Sequence, residues 1–306
     1  MRKAGAQLRV RNGMPQDFFF QSYCVVLVDL LGQKTRLRHM KDLPSKESDR
    51  EWFIEVARQT AGTVVFLRDS FRDFFTEALS ISDVPSEIPT EKREKFRRLR
   101  EARVLQHGFS DLITLAVPLS IDGGAPVPMN GVWAVLFAAC GMSLLSLSID
   151  RPLRGGVDIG VGTQLGTSGE IYGAVTERAY FIESDLAEYP RVVVGEELLR
   201  YVQHAVARSP RTLDDKWAAV LATKCSKFLI QDTDGRWMLD FMGPGVKEVA
   251  GDSLPAETVA KAYAFAQGQR ERSLKDGDLR LAARYFRLLR YMNHRMPIWT
   301  MQGEAP

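Results

Sequence analysis

Two acids, Asp29 and Asp111, stand where carboxylates do chemistry. Asp29 closes the apolar run Cys24-Val25-Val26-Leu27-Val28 and is followed by Leu30-Leu31-Gly32-Gln33-Lys34-Thr35. A Val-rich run bounded by glycine reads as a strand buried on both faces. A carboxylate inside such a strand is costly unless paired. Asp29 therefore belongs at the strand's C-terminal end, with a cation or strong donors beside it. Capping a following helix is the plainer use of the same residue. Asp111 sits at or just past the tip of a β-hairpin expected over residues 103–117. If the strands adjoin, the two carboxylates repel, and a divalent cation is the usual remedy. An ordinary turn aspartate is the alternative. Beyond Gly32 come Lys34, Arg36, Arg38 and Lys41, which suit either an anion or a solvated surface.

The elements that must position these acids follow from periodicity. A helix is expected over 48–79, where Trp52, Val56, Val64, Leu67, Phe71, Phe74 and Phe75 recur at helical spacing. A proline-bearing loop over 83–90 leads to a mixed-charge helical run over 91–103, read as a solvated face. After the hairpin, residues 132–147 form an apolar stretch of about 16 residues, short of the roughly 20 that span a bilayer, and read as a buried helix. Residues 154–162, Arg-Gly-Gly-Val-Asp-Ile-Gly-Val-Gly, read as a glycine-rich strand, and glycine there marks close approach of a backbone or ligand. A helix over 174–187 stops before Tyr189-Pro190-Arg191, and 192–194 is a short strand. The order βα, hairpin, α, β, α, β predicts an α+β fold, with helices over one face of a mostly antiparallel sheet.

Composition narrows the class further. The chain has 306 residues, a formal charge of +3 and a pI near 8.7, too mild to argue for nucleic acid. Cys24, Cys140 and Cys225 are scattered among apolar neighbours, which suits reduced core thiols in a cytoplasm. The basic N-terminus lacks an apolar segment and predicts no secretory signal.

Taken together, the VDLLG run with Asp29, the hairpin-tip Asp111, the RGGVDIGVG strand and GEIYGAVTERAYFIE followed by AEYPR resemble the catalytic domain of class III nucleotide cyclases. The resemblance spans about residues 20–195, and it rests on order and spacing. It implies a ferredoxin-like βαββαβ core, preceded by an extension (1–19) and followed by a hairpin and helices packed on the core (196–306). It also implies two Mg²⁺ or Mn²⁺ ions held by Asp29 and Asp111, with the Leu30 carbonyl on a metal. The turn Gly32, Gln33, Lys34, Thr35 and Arg36 is then expected to cradle the β- and γ-phosphates, with Arg38 and Arg191 as further rim cations. A head-to-tail homodimer, with sites at its interface, is implied as well.

Departures from the family pattern bear on the base. His107 stands where ATP-using members place a base-reading lysine, and Glu170 where they place an aspartate. The pair offers a donor and acceptor set that suits uracil or cytosine edges; a half-exposed strand histidine is the alternative reading of His107. The family's transition-state Asn and Arg fall on Glu177, which is also counted with His107 and Glu170 among the base-binding candidates, and on Phe181. Phe181 cannot donate a hydrogen bond, so Arg178 is the candidate replacement, and a domain that binds without turnover is the other outcome. The closest resemblance is to the pyrimidine cyclases of the Pycsar anti-phage systems. This implies conversion of UTP, ahead of CTP, to the 3′,5′-cyclic monophosphate and pyrophosphate, with a separate effector protein reading the signal. A purine cyclase, a nucleotide-binding module and a polymerase-like palm are the competing classes.

The last third is expected to hold a helix over 196–207, a hairpin of 224–230 with 236–241 closed at Asp234-Gly235, and helices over 255–275 and 279–295. The final helix is expected to pack on its own domain or on a partner, with no direct contact to nucleic acid or membrane.

Overall fold

A computed structural model describes residues 19–32, 46–81, 90–91, 102–121, 125–126, 129–166 and 169–300. Its main sheet has eight strands: β1 (Phe20–Leu30), β2 (Leu105–Phe109), β3 (Leu112–Pro118), β4 (Leu153–Leu165), β5 (Glu170–Tyr172), β6 (Val192–Val194), β7 (Leu229–Gln231) and β8 (Trp237–Leu239). Their order is β2-β3-β1-β4-β6-β8-β7, with β5 paired to β4. Only β4 and β6 run parallel; the other pairs are antiparallel, so the α+β class and the mostly antiparallel sheet are borne out.

The helices are α1 (Glu47–Ala57), α2 (Thr63–Ile81), α3 (Asn130–Ser148), α4 (Ala174–Phe181), α5 (Glu196–Ala207), α6 (Leu213–Ser226), α7 (Pro244–Ala250), α8 (Ala256–Lys275) and α9 (Leu279–Thr300). The helix expected over 48–79 is interrupted by a π-turn, Arg58–Gly62, where the Thr60 hydroxyl donates to the Val56 carbonyl at 2.7 Å. Trp52, assigned to the buried stripe, is instead exposed.

β1 is central because both of its faces are apolar. Cys24, Val26 and Val28 pack under α2 and α3, while Tyr23, Val25 and Leu27 pack under α4. The expectation of helices on one face alone is therefore corrected. An alternation with no polar side needs cover on both sides. α3 is apolar all round and is buried as predicted; Phe74 of α2 meets Phe137 edge-on at 6.3 Å. α3 is also the described helix long and apolar enough to cross a membrane, but 89% of its apolar window lies inside the fold. The three cysteines are free and buried.

The glycines of β4 serve the close approach expected of them. A Cβ at Gly156 would stand 2.4 Å from the Ala179 carbonyl of α4, and one at Gly160 would stand 2.2 Å from the Arg178 guanidinium. Backbone and side chain of α4 occupy the space that side chains on β4 would need.

The C-terminal hairpin joins the same sheet through β8, which pairs with β6. It is shorter than expected: Lys224 to Ser226 end α6, since Cys225 turns into the core. The hairpin is pinned by Arg191, which is fully buried. Its guanidinium donates to Asp232, to Asp234 at 2.6 and 3.2 Å and to the Leu186 carbonyl at 3.0 Å, and it stacks 4.6 Å from the Tyr189 ring centroid. Arg191 is thus not a rim cation for phosphate. A second knot fixes α9: buried Asp240 accepts from Tyr291 at 2.9 Å and from Arg295 at 2.6 and 2.9 Å.

Removing one partner of a buried ion pair is costly, so Arg191→Met should lower unfolding stability by about 3–5 kcal/mol, read as a lower urea midpoint at unchanged slope. The same knot predicts an acid limb. Burial works to raise the Asp234 carboxyl, but hydrogen bonds from Arg191 and from the Arg236 backbone outweigh it and hold the group well below the usual carboxylate range. The stability this adds is present above the unfolded carboxyl value near 4 and is lost as pH falls below it. Asp234→Asn should flatten that loss when urea midpoints are compared between about pH 3 and pH 7.

Candidate active site

The groove that gathers the sequence-derived base residues lies between α4 and the β2–β3 hairpin. Alternation along β2 turns Leu105 and His107 toward α4, and His107 stands opposite Thr114 in the ladder. Glu170 begins β5, and Glu177 sits on the first turn of α4. All three line one cavity of about 350 Å³, with Leu27 and Leu112 beneath them. Its rim carries two exposed aromatics, Phe109 (78% exposed) and Tyr180 (54% exposed). Exposed rings beside paired acceptors and a histidine suit a flat heterocycle, which gains from both stacking and edge hydrogen bonds.

Asp29 belongs to the same face. It follows Leu27 by two residues on β1, and alternate residues of a strand share a side. In the ladders Asp29 is opposite Leu112 on β3 and Arg154 on β4. Asp111 immediately precedes Leu112, and its carbonyl accepts from Leu30 N–H at 3.4 Å, so both acids stand at one end of adjoining strands. The hairpin turn is only Ser110-Asp111, with Ser110 in the left-handed region at φ 57°. A two-residue turn of that kind fixes Asp111 close to the strand end. The Leu30 side chain is buried in the core on the opposite face, as alternation requires.

The cation expected beside Asp29 is Arg154. Its Nη2 lies 3.9 Å from Asp29 Oδ2 and its Nε lies 2.6 Å from Glu183 Oε1. Glu183 stands on the π-turn Ile182–Leu186 and is 2% exposed. Burial pushes its carboxyl up, Arg154 pulls it back, and the neighbouring Asp29 adds to the rise. Arg154 thus bridges a buried acid and the candidate metal ligand. Sequence reading missed that role, although Arg154 opens the glycine-rich strand it singled out; only strand register reveals it.

Arg178 is brought elsewhere. Its Nε lies 3.2 Å from Asp158 Oδ2, its guanidinium donates to the Ile159 carbonyl, and Asp158 in turn accepts from Leu198 N–H at 3.0 Å. Burial raises the Asp158 carboxyl, against the pull of those donors. Asp158 pairs with Val25, four residues before Asp29, so Arg178 grips the sheet about 13 Å along the strand from the carboxylate end. Phe181 is half exposed on the same helix and lines a separate cavity with Arg178. Gly32 is an exposed turn residue at φ 86°. Gln33, Lys34, Thr35 and Arg36, with Arg38, lie outside the described residues.

Among the described residues no group of three or more His, Cys, Asp or Glu side chains could hold a metal ion. Asp29 and Asp111 are hard oxygen donors. That donor set fits Mg²⁺, which is commonly bound through one or two carboxylates and completes its shell with water and substrate phosphate. Arg154 already shares the Asp29 charge, so an ion there competes with a guanidinium.

No protein-family model matches the chain. No curated protein and no solved structure matches it either.

Arg154→Met strands Glu183 without its cation and should cost about 3–5 kcal/mol of stability. Adding Glu183→Gln should return at least about 1 kcal/mol as coupling in a double-mutant cycle of urea midpoints. Strictly additive losses would show that the two groups do not act as a pair.

Proposed function

We propose that the chain is a nucleotide cyclase, a phosphorus–oxygen lyase that converts a pyrimidine nucleoside triphosphate, UTP ahead of CTP, to its 3′,5′-cyclic monophosphate and pyrophosphate. The observation that carries this reading is the convergence of His107, Glu170 and Glu177 on one groove, whose floor residue Leu27 shares its strand and sheet face with Asp29. Three segments far apart in sequence, β1, β2 and the contiguous β5–α4 stretch, meet there, with a strand-end carboxylate two residues beyond the groove floor. The order β2-β3-β1-β4, with α2 and α3 on one face, is also that of a ferredoxin-like βαββαβ core, and this supports the class III resemblance.

In this reading the base lies against Phe109 and Tyr180, and His107 donates to a pyrimidine carbonyl while Glu170 or Glu177 accepts from its N–H. Asp29 and Asp111 would hold Mg²⁺ or Mn²⁺, two ions in the family, which when bound acidify the ribose 3′-hydroxyl and neutralise phosphate charge. The 3′-oxygen forms the new bond to the α-phosphorus, the bond to the β-phosphate oxygen breaks, and the hydroxyl proton passes to solvent. Arg178, held to Asp158, is a positioning residue for α4 within one subunit. A transition-state role would require a second copy to present it, as the head-to-tail dimer of the resemblance implies. The product would serve as a cytoplasmic second messenger in phage defence, read by a separate effector.

A second reading, a nucleotide-binding module without turnover, is favoured by one observation: Arg178 is committed to Asp158 and Phe181 offers no donor. A purine cyclase is the third.

Incubation of the protein with Mn²⁺ and each of the four nucleoside triphosphates separately, with mass analysis of products, decides among them. The expected result is cyclic UMP as the main product, abolished by Asp29→Ala and reduced by His107→Ala through a raised KM. Cyclic product that survives Asp29→Ala removes the metal assignment; linear products indicate a polymerase-like activity; cyclic AMP or GMP returns the purine reading. Release of no product from any of the four leaves the binding module.

A further inference from the structure

A second cavity, of about 340 Å³, opens where the C-terminal helices meet the end of β1. Leu31 and Gly32, directly after the Asp29 strand, form one wall, Asp150 and Arg151 a second, and α9 closes it with Arg284 and Tyr285. Arg284 is half-buried, and among the described residues it has no ion-pair or hydrogen-bond partner. Its electrostatic neighbours make matters worse. Burial disfavours its charge first, and Arg280 and Arg154 disfavour it further, against partial relief from Asp278 and Glu188. Glu188 is already engaged by Arg287 and Arg236, and Arg154 by Glu183 and Asp29. Asp150 and Arg151 face each other in charge on the walls, which leaves the Arg284 guanidinium as the cation the cavity does not match.

A half-buried guanidinium crowded by like charge, with carboxylates only in its wider surroundings and none in contact among the described residues, is disfavoured on its own. An entering anion removes the imbalance. Phosphate is the anion a planar five-donor fork matches best, and the apolar walls from Leu31, Phe265 and Leu281 strengthen the attraction by excluding water. The position matters as much as the charge. Arg154 touches Asp29 on one side and is an electrostatic neighbour of Arg284 on the other, so the cavity begins where the candidate cyclisation centre ends.

We propose that this cavity receives the terminal phosphates of the nucleotide and the pyrophosphate that leaves, with Arg284 of the C-terminal helix as their principal ligand. The inference rests on the cyclase reading and adds to it a contact from outside residues 20–195. It gives the last third a part in substrate binding. Arg154 takes the place between the two ends, where it balances the acids on one side and faces the phosphates on the other.

Calorimetric titration of inorganic pyrophosphate into the full chain in EDTA tests the cavity without turnover. Saturable binding is expected, weakened about tenfold or more by Arg284→Ala and less by Arg284→Lys, which keeps charge but loses the fork. UTP should displace pyrophosphate. Thermal melting of both variants separates lost binding from lost folding, and Arg284→Lys serves as the informative variant if Arg284→Ala fails to fold. Pyrophosphate binding that is absent in the wild type, unchanged in a folded Arg284 variant, or indifferent to UTP overturns the proposal. Failure of the cyclase reading looks different: no cyclic product forms from any triphosphate.

Discussion

The close packing of α4 on β4 is the constraint on which the candidate site depends. α4 can approach only because Gly156 and Gly160 leave room for the Ala179 carbonyl and for the Arg178 guanidinium. That approach puts Glu177 and Tyr180 over the β2–β3 hairpin and closes one side of the groove. It also draws the π-turn Ile182–Leu186 down onto the sheet, so that Glu183 meets Arg154 opposite Asp29. A side chain at either glycine would lift the helix and open both arrangements together. Glycine costs strand stability, and here that cost is offset by the apolar contacts of Val175 and Ala179 with Val25 and Leu27.

The buried charges among the described residues, Asp158, Glu183, Arg191 and Asp240, are each matched by an opposite charge. Arg191 with Asp232 and Asp234, Arg295 with Asp240, Arg178 with Asp158 and Arg154 with Glu183 each join elements distant in sequence. Buried pairs add little net stability compared with apolar packing, but a lone member is heavily penalised, so each pair enforces one arrangement of its elements. Arg284 departs from this pattern among the described residues, which is why its cavity draws attention. The pairs also show why counting cations along the sequence misleads. Arg191 and Arg178 look like available phosphate or transition-state ligands until the acids that claim them are seen.

Much of the fold was legible locally. The double-sided apolar run of β1, the all-round apolar α3, the turn at Asp234-Gly235 and the helix over 196–207 each carry a periodicity or a turn signal within a short window. The misses have physical causes. The π-turn inside the first long helix, with Thr60 buried and its hydroxyl on the Val56 carbonyl, is a change of backbone pitch that no hydrophobic count registers. The Lys224–Ser226 end of α6 is short enough to suit strand or helix, and the packing of Cys225 into the core decides for helix. Helices on both faces, rather than one, were implicit in the uninterrupted apolar character of β1.

What the sequence by itself determined is where each chemical group lies along its own element: Asp29 at the end of a buried strand, Asp111 at a hairpin tip, and His107 on a strand beside it. These follow from local alternation and from the cost of burying a carboxylate, both readable within about ten residues. Only the tertiary structure decided which groups meet. Strand register set Arg154 across from Asp29, helix docking turned Arg178 to Asp158 and Glu177 to the groove, and the return of α9 carried Arg284 to the turn after Asp29. Such meetings join residues from different elements, well beyond the reach of local periodicity, where small differences in packing and desolvation choose between partners that sequence alone leaves equivalent.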